Sequence, residues 1–496
     1  MRAVIAILTL ALMGLSIFML EVDRARVSIT PLAVEGDTPA TLYLREGTER
    51  APVVVIAHGF AGSRQLMEPF ALVLAQTGYV VASFDFEGHG RNPQPMSGDV
   101  EAIEGTTRLL MMETGRVAQA ALAHPRADGR LAYLGHSMAS DIVVRQTMDT
   151  PPGDAVIGVS MFSLAVSEDA PQNLLVITGA WEGMLAEAAL DAVRLADPQA
   201  QIGQTVGDPS AGTGRRAVLA PGVEHVGVLY STVSLAEARD WLDAVFGRES
   251  TAEIPWRGGW IMLLLVATCA LGWPLARALP GSPPMRPDAL PTRAFLIVAL
   301  VPAILVPLML APFDVRLLPV LVADYLALHL GLYGALTLVA LGYTGQLRQQ
   351  FTLRVLWVAL AVAFFGIVIL GGVLDRYVAS FFPHPGRATV IAALALGAVP
   401  FLLGDGLLTQ GGRAPFWRVL VVRLAFLASL GLAVALNFER LFFLLIILPV
   451  IVLFFLLFGT LSGWVGRRTG LPAAGGIGLG LVLAWALGVT FPMFGT

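Results

Sequence analysis

Eight apolar stretches follow one another from Gly258 to the C-terminus, near 258–278, 294–312, 317–342, 355–374, 388–408, 419–436, 441–463 and 472–491. Each approaches the ~20 residues that a helix needs to cross the hydrocarbon core of a bilayer. Inside lipid, every backbone N–H and C=O must be satisfied within its own segment, so runs of this length restrict the region to helices. The breaks between them, such as 280–291 and 382–386, are too short for another domain. Composition agrees: with 56% hydrophobic and 14% charged residues and a mean hydropathy of +0.73, these 496 residues are too apolar for a water-soluble chain.

A further apolar run, residues 3–20, is broken only by Thr9, Gly14 and Ser16, and no small-x-small pattern precedes Glu21. It predicts an uncleaved anchor over 1–20, with a cleaved signal peptide as the alternative. All 32 basic residues are arginine. With the N-terminus in the cytoplasm, the inner loops hold Arg2, Arg277, Arg286, Arg293, Arg348, Arg354, Arg413, Arg418, Arg467 and Arg468, whereas the short outer loops hold Arg316, Arg376, Arg387 and Arg440. That asymmetry follows the positive-inside rule and places the region between the anchor and Trp256 outside the cytoplasm. Arginine in place of lysine, with abundant Ala, Gly and Leu, points to a bacterial cell envelope and its inner membrane. Cys269 is the single cysteine and lies in a span, so no intrachain disulfide can form.

Residues 27–248 read differently. Short apolar runs at 53–57, 80–84, 131–134, 155–161, 174–178 and 216–219 alternate with loops and helical periodicity, the pattern of a parallel sheet wrapped by helices. Gly135-His136-Ser137-Met138-Ala139 lies where one such run gives way to a helix. The small residues Gly135 and Ala139 permit a sharp strand-to-helix turn that holds the Ser137 hydroxyl outward, with the Met138 N–H beside it. Upstream, His58-Gly59-Phe60-Ala61-Gly62-Ser63 follows a buried strand, and its Phe60 or Ala61 N–H is placed to join that of Met138 around a negative oxygen. A second loop, Asp85-Phe86-Glu87-Gly88-His89-Gly90-Arg91, follows the next strand, and His225 precedes a final helix expected over 235–246.

In the order of these parts the segment resembles the α/β-hydrolase superfamily. The resemblance implies an α/β-hydrolase fold beside an all-α polytopic transmembrane domain: an anchor at 1–20, the hydrolase at 27–248 and about eight spans over 257–496. It implies Ser137 as nucleophile and His225 as base. The acid in this family usually follows the strand that here ends in Ile177-Thr178-Gly179, which points to Glu182; Glu168 or Asp169, after the preceding strand, is the alternative. Chemically, a serine hydroxyl needs an imidazole to take its proton during attack, and the imidazole needs a carboxylate to orient it. His58, His89 and His136 are expected to orient loop backbone, and Asp85 and Glu87 to fix the turn after their strand.

The histidines are too scattered for a metal cluster, no Cys-x-x-Cys or His-Glu-x-x-His occurs, and neither a cofactor nor a nucleic-acid partner is expected. Residues 163–174 leave no room for a helical lid. These features predict a serine esterase acting on an ester or lipid-like small molecule, embedded in the bilayer. An acyltransferase, an amidase or peptidase, and a non-catalytic sensor or transport protein are the alternatives. Asp324, His329 and Asp405 fall within spans, where ionisable groups are either functional or paired across helices.

Overall fold

Seven consecutive residues with no side chain open to solvent, Ala51–Ala57, form an interior strand of a nine-stranded sheet. The structure, a computed structural model, describes residues 1–47, 49–99, 103–250, 252–281, 290–347 and 352–495; Arg286 and Arg348 lie outside the described residues. The strands are β1 (Ser28–Leu32), β2 (Ala40–Leu44), β3 (Ala51–Ala57), β4 (Val80–Phe84), β5 (Ala127–His136), β6 (Ala155–Val159), β7 (Leu174–Gly179), β8 (Thr205–Val206) and β9 (Arg215–Ala220), in the order β1-β2-β4-β3-β5-β6-β7-β9-β8. The pairs from β4 through β9 are parallel, whereas β1, β2 and β8 add antiparallel edges.

Alternation along β3 feeds both faces. Val53, Val55 and Ala57 pack with residues of α3 (Arg108–Leu122), α4 (Met138–Thr147) and α5 (Gly183–Arg194). Val54 and Ile56 pack with α2 (Glu68–Gln76) and α6 (Thr232–Phe246). Coverage on both faces explains why the parallel strands read as unbroken apolar runs. This is the α/β-hydrolase arrangement, and residues 160–173 contain no helix.

The described chain forms two compact units: one of residues 15–263, 374–380 and 492–496, and one of residues 1–14, 264–373 and 381–491. In the first unit, Arg257 is fully buried and pairs with Asp23 (3.0 Å) and Glu68, while Arg24 also pairs with Glu68. Phe494 is buried in the same core cluster as Phe86 and Met96, and Met493 exchanges backbone hydrogen bonds with Gly88 and Met96.

The second unit is helical. Among the described residues, nine helices are long and apolar enough to cross a membrane by length and composition. The first is α1 (Arg2–Arg24), whose residues divide between the two units. The others are α7 (Arg257–Ala278), α8 (Thr292–Leu310), α9 (Ala323–Tyr343), α10 (Leu353–Phe364) continuing into α11 (Gly371–Tyr377), α12 (Ala388–Leu408), α13 (Phe416–Leu436), α15 (Phe443–Thr469, after the single turn α14, Phe438–Leu441) and α16 (Pro472–Thr490). Small residues let these helices approach closely: a Cβ on Gly476 would lie 2.3 Å from the Leu402 carbonyl oxygen, and one on Gly334 the same distance from the Phe401 nitrogen.

The stretch expected as one span over 317–342 is helical only from Ala323. Val322 adopts φ +63°, and the N–H groups of Leu317 and Leu318 bend back onto the Asp324 carboxylate at 3.1 and 3.0 Å. Asp324 therefore serves the helix start. Asp405 pairs with Arg423 at 2.9 Å. His329 bonds through Nδ1 with the Tyr325 hydroxyl (3.1 Å) and through Nε2 with Ser429 (3.0 Å). All three ionisable groups thus have structural partners.

Candidate active site

Ser137 sits between β5 and α4 with φ +54° and ψ −120°, a left-handed conformation that costs a non-glycine residue of order 1–3 kcal/mol. Surroundings hold it there. Its N–H bonds to the Val159 carbonyl (2.9 Å), and its own carbonyl accepts from both the N–H (2.9 Å) and the hydroxyl (2.5 Å) of Ser140. A Cβ on Gly135 would lie 2.5 Å from the Ala139 carbonyl oxygen, and Ala139 is itself fully buried, so the turn closes only around small residues. As the first residue of α4, Met138 has one of the N–H groups that a helix leaves without an internal partner.

The loop after β3 passes directly beside this turn. A Cβ on Gly59 would lie 2.9 Å from the Ser137 Cβ. Phe60 and Ala61 follow, Ala61 at φ +56°, and Gly62 N–H closes the turn onto the Gly59 carbonyl (3.0 Å). The far side of the loop is tied by Ser380, whose N–H donates to Ser63 Oγ (3.1 Å) and whose hydroxyl donates to Gln65 Oε1 (3.0 Å).

His225, on the loop after β9, joins the serine to an acid. Its Nε2 is 2.9 Å from Ser137 Oγ, and its Nδ1 is 2.6 Å from Glu182 Oε1. A carboxylate only accepts, so Nδ1 carries the hydrogen and Nε2 is left as an acceptor facing the Ser137 hydroxyl. Glu182 lies at the start of α5, after β7, and its other oxygen accepts from the Ser160 hydroxyl (2.7 Å) and the Gly179 N–H (2.8 Å). Burial pushes the Glu182 pKa up, but the hydrogen bonds from His225, Ser160 and Gly179 outweigh it and hold the carboxyl below its ordinary value.

Other motif residues do positional work. His136 Nε2–H donates to the His225 carbonyl (2.9 Å), and burial first, then the neighbouring His225, lowers its pKa to about 3, so its ring stays neutral. His58 donates from Nδ1 to the Gly59 carbonyl (2.8 Å) and accepts the Phe86 N–H at Nε2 (3.1 Å). His89 Nδ1–H donates to the Glu87 carbonyl (2.9 Å). Asp85 accepts the N–H groups of Arg64 (2.8 Å) and Arg91 (3.1 Å), tying the loops after β3 and β4 together. Among the described residues, Glu168 contributes its carbonyl oxygen to Arg215 at 3.2 Å, and Asp169 acts electrostatically on that same guanidinium. Among the described residues, no group of three or more His, Cys, Asp or Glu is placed to share a metal ion.

Sequence reading passed over Ser160 and Ser380. Ser160 carries a signal of its own, since it ends an apolar strand run with φ +49°, but its target depends on tertiary placement. Ser160→Ala removes one donor from Glu182. Turnover is expected to fall by up to about tenfold, corresponding to ~1.4 kcal/mol, with KM unchanged. Steady-state kinetics check this, and a rise in KM at constant kcat would assign Ser160 to substrate contact instead.

Comparison with known proteins places this site in a family context. Residues 48–215 match the family model described as serine aminopeptidase, S33. Two uncharacterized proteins from strains of Mycobacterium tuberculosis are 29% identical over 121 residues, 23% of this chain; the match spans only 38% of their length. Solved structures similar to this chain include a dienelactone hydrolase from Anabaena variabilis, with 17% identity over 44% of this chain and 97% of that one and a TM-score of 0.32. A soluble variant of monoglyceride lipase from Saccharomyces cerevisiae shows 13% identity over 45% and 97%, with a TM-score of 0.33. The match over 48–215 lies on a mostly parallel sheet with a strand-to-helix turn at Ser137, and the fold of this unit is that of the α/β hydrolases.

Proposed function

We propose that this chain is a membrane-integrated serine hydrolase that cleaves carboxylic esters through an acyl-enzyme on Ser137. The continuous relay from Ser137 Oγ to His225 (2.9 Å) to Glu182 (2.6 Å) carries this reading. Ser137 Oγ attacks the ester carbonyl as its proton passes to His225 Nε2, and the N–H groups of Met138 and of Phe60 or Ala61 hold the resulting oxyanion. Collapse expels the alkoxide, which takes the proton back from His225. A water molecule then repeats the sequence: His225 removes its proton, its oxygen attacks the acyl carbon, and the acid leaves as Ser137 regains its hydrogen.

Apolar side chains crowd the loops that bear the acid and base. Trp181 and Met184 flank Glu182, Val226 follows His225, and Phe162 and Leu164 follow β6, all largely exposed. Such exposure favours a substrate with an apolar acyl or lipid-like part. The matched family's description, serine aminopeptidase, favours a second reading in which the leaving group is an amine. A series of p-nitrophenyl esters of increasing chain length, run beside aminoacyl p-nitroanilides on the purified full chain, decides between them. Greater kcat/KM on the anilides would replace the esterase reading.

In this proposal residues 1–20 anchor the chain, 27–248 form the catalytic domain and 257–496 the spans, in a bacterial inner membrane with catalysis outside the cytoplasm. Arginine asymmetry supports the orientation. A phosphatase reporter that works only outside the cytoplasm is expected to be active when fused after Gly247 and inactive after Arg468. The reversed pair of results would place catalysis in the cytoplasm.

A further inference from the structure

Two cavities of opposite character lie within the helical unit. The first, of about 480 Å³, is apolar and lined by Gly272 and Leu275 of α7, Phe365, and Phe458, Leu461 and Val465 of α15. The second, of about 280 Å³, is bounded by Met1, Arg2, Trp273, Arg277 and Arg468. Both draw their walls from α7 and α15. Phe458, Leu461, Val465 and Arg468 are spaced by three, four and three residues and so form one stripe, its apolar part in the first cavity and its guanidinium in the second. Arg468 Nε–H also donates to the carbonyl of Leu279 (3.0 Å), itself a wall of the apolar cavity.

Among the described residues, no acidic group balances the charges in the second cavity. Three guanidiniums from three separate helices converge there, and among the described residues none of them has a carboxylate within ion-pair distance. Their protein contacts are carbonyls and a ring: Arg2 to the Arg277 carbonyl (3.4 Å), Arg468 to Leu279, and Arg277 over the Trp273 face at 5.2 Å. The positive-inside tendency accounts for arginines at helix ends, but not for their convergence beside an apolar cavity with an indole between. Basic pockets between transmembrane helices are suited to acidic lipid headgroups, and tryptophan is suited to the headgroup level. At ~300–1,000 Å³, small-molecule sites have the size of the apolar cavity.

We infer that these two cavities form one site for an anionic glycerophospholipid of the bilayer, its phosphate held by Arg2, Arg277 and Arg468 and an acyl chain lying against Leu275, Leu461 and Phe458. The inference rests on the membrane-integrated reading and concerns a place apart from the Ser137 relay. Purified full-length protein in detergent is titrated with dioleoylphosphatidylglycerol, with dioleoylphosphatidylcholine, and with inorganic phosphate, and bound lipid is counted by native mass spectrometry. Phosphatidylglycerol is expected to bind at least about tenfold more tightly than phosphatidylcholine, and Arg277→Gln with Arg468→Gln is expected to abolish that preference. The control pair Arg413→Gln, in the connection between α12 and α13, with Arg467→Gln, at the last turn of α15, lies outside the cavity and retains it.

Equal binding of the two lipids, a preference that survives the Arg277 and Arg468 changes, or displacement of phosphatidylglycerol by phosphate at equal concentration would each overturn the lipid site. If the double variant does not accumulate, Leu275→Trp fills the apolar cavity and leaves the arginines in place; undiminished phosphatidylglycerol binding by that variant overturns the site equally. Carbonate washing of membranes separates the two levels. Release of the chain from washed membranes overturns the membrane reading and this site with it, whereas retention without lipid preference overturns the site alone.

Discussion

Ser137→Ala eliminates fluorophosphonate labelling and lowers ester turnover on the order of 10⁴-fold or more, the loss expected when a triad member is removed. The substitution deletes one oxygen and keeps the turn, whose bonds to Val159 and Ser140 are made by the backbone of residue 137. Three serine hydroxyls on nearby elements are committed elsewhere: Ser140 donates to the Ser137 carbonyl, Ser160 to Glu182, and Ser163 to Asp141 at 2.5 Å. His225→Ala is expected to be nearly as damaging, since it removes the ring nitrogen that lies 2.9 Å from Ser137 Oγ. Labelling of the purified variant, with a circular dichroism spectrum to show that it is folded, is the check. Turnover equal to the parent protein's would end the proposed mechanism.

Glu182→Gln is the second large effect, with kcat expected to fall by roughly 10³- to 10⁴-fold and KM little changed. An amide at this position can donate to Nδ1 of His225, which moves the ring hydrogen to Nε2 and leaves no acceptor facing Ser137 Oγ. The positive charge that develops on the imidazole also loses its counter-ion. Glu168→Gln and Asp169→Asn are expected to stay near parental activity, because these residues address Arg215 and not His225. If either of them proves the damaging change while Glu182→Gln is mild, the acid lies on the preceding strand end.

Much of the fold was readable in one dimension because burial on two faces leaves a signature. A strand covered on both sides is apolar at nearly every position: 53–57 is so throughout, and 80–84 and 174–178 are interrupted only by Ser83 and Thr178. β1 and β2 escaped for the converse reason. β1 contains Pro31 and is only partly buried, and β2 alternates less sharply, so neither presents an apolar run. The long apolar stretch at 317–342 was also ambiguous: hydropathy does not register the left-handed turn at Val322, which ends the loop and starts the helix. Asp405 and Arg423 lie on different helices, and only packing reveals that they meet.

The order of the chemical groups was contained in the chain itself, because a turn that tolerates only Gly135 and Ala139 around a serine, and a histidine before a last helix, depend on local geometry and spacing. Which carboxylate reaches His225 was not. Glu182, Glu168 and Asp169 all follow strand ends, and the choice depends on where the ends of β7 and β9 lie side by side, a register set by the parallel pairing of Leu174–Gly179 with Arg215–Ala220. The same holds for Ser380, Met493 and Phe494, which lie far along the chain yet pack within the hydrolase unit. Hydropathy and spacing report what each segment needs to bury; which distant segments satisfy one another is decided only when the chain closes on itself.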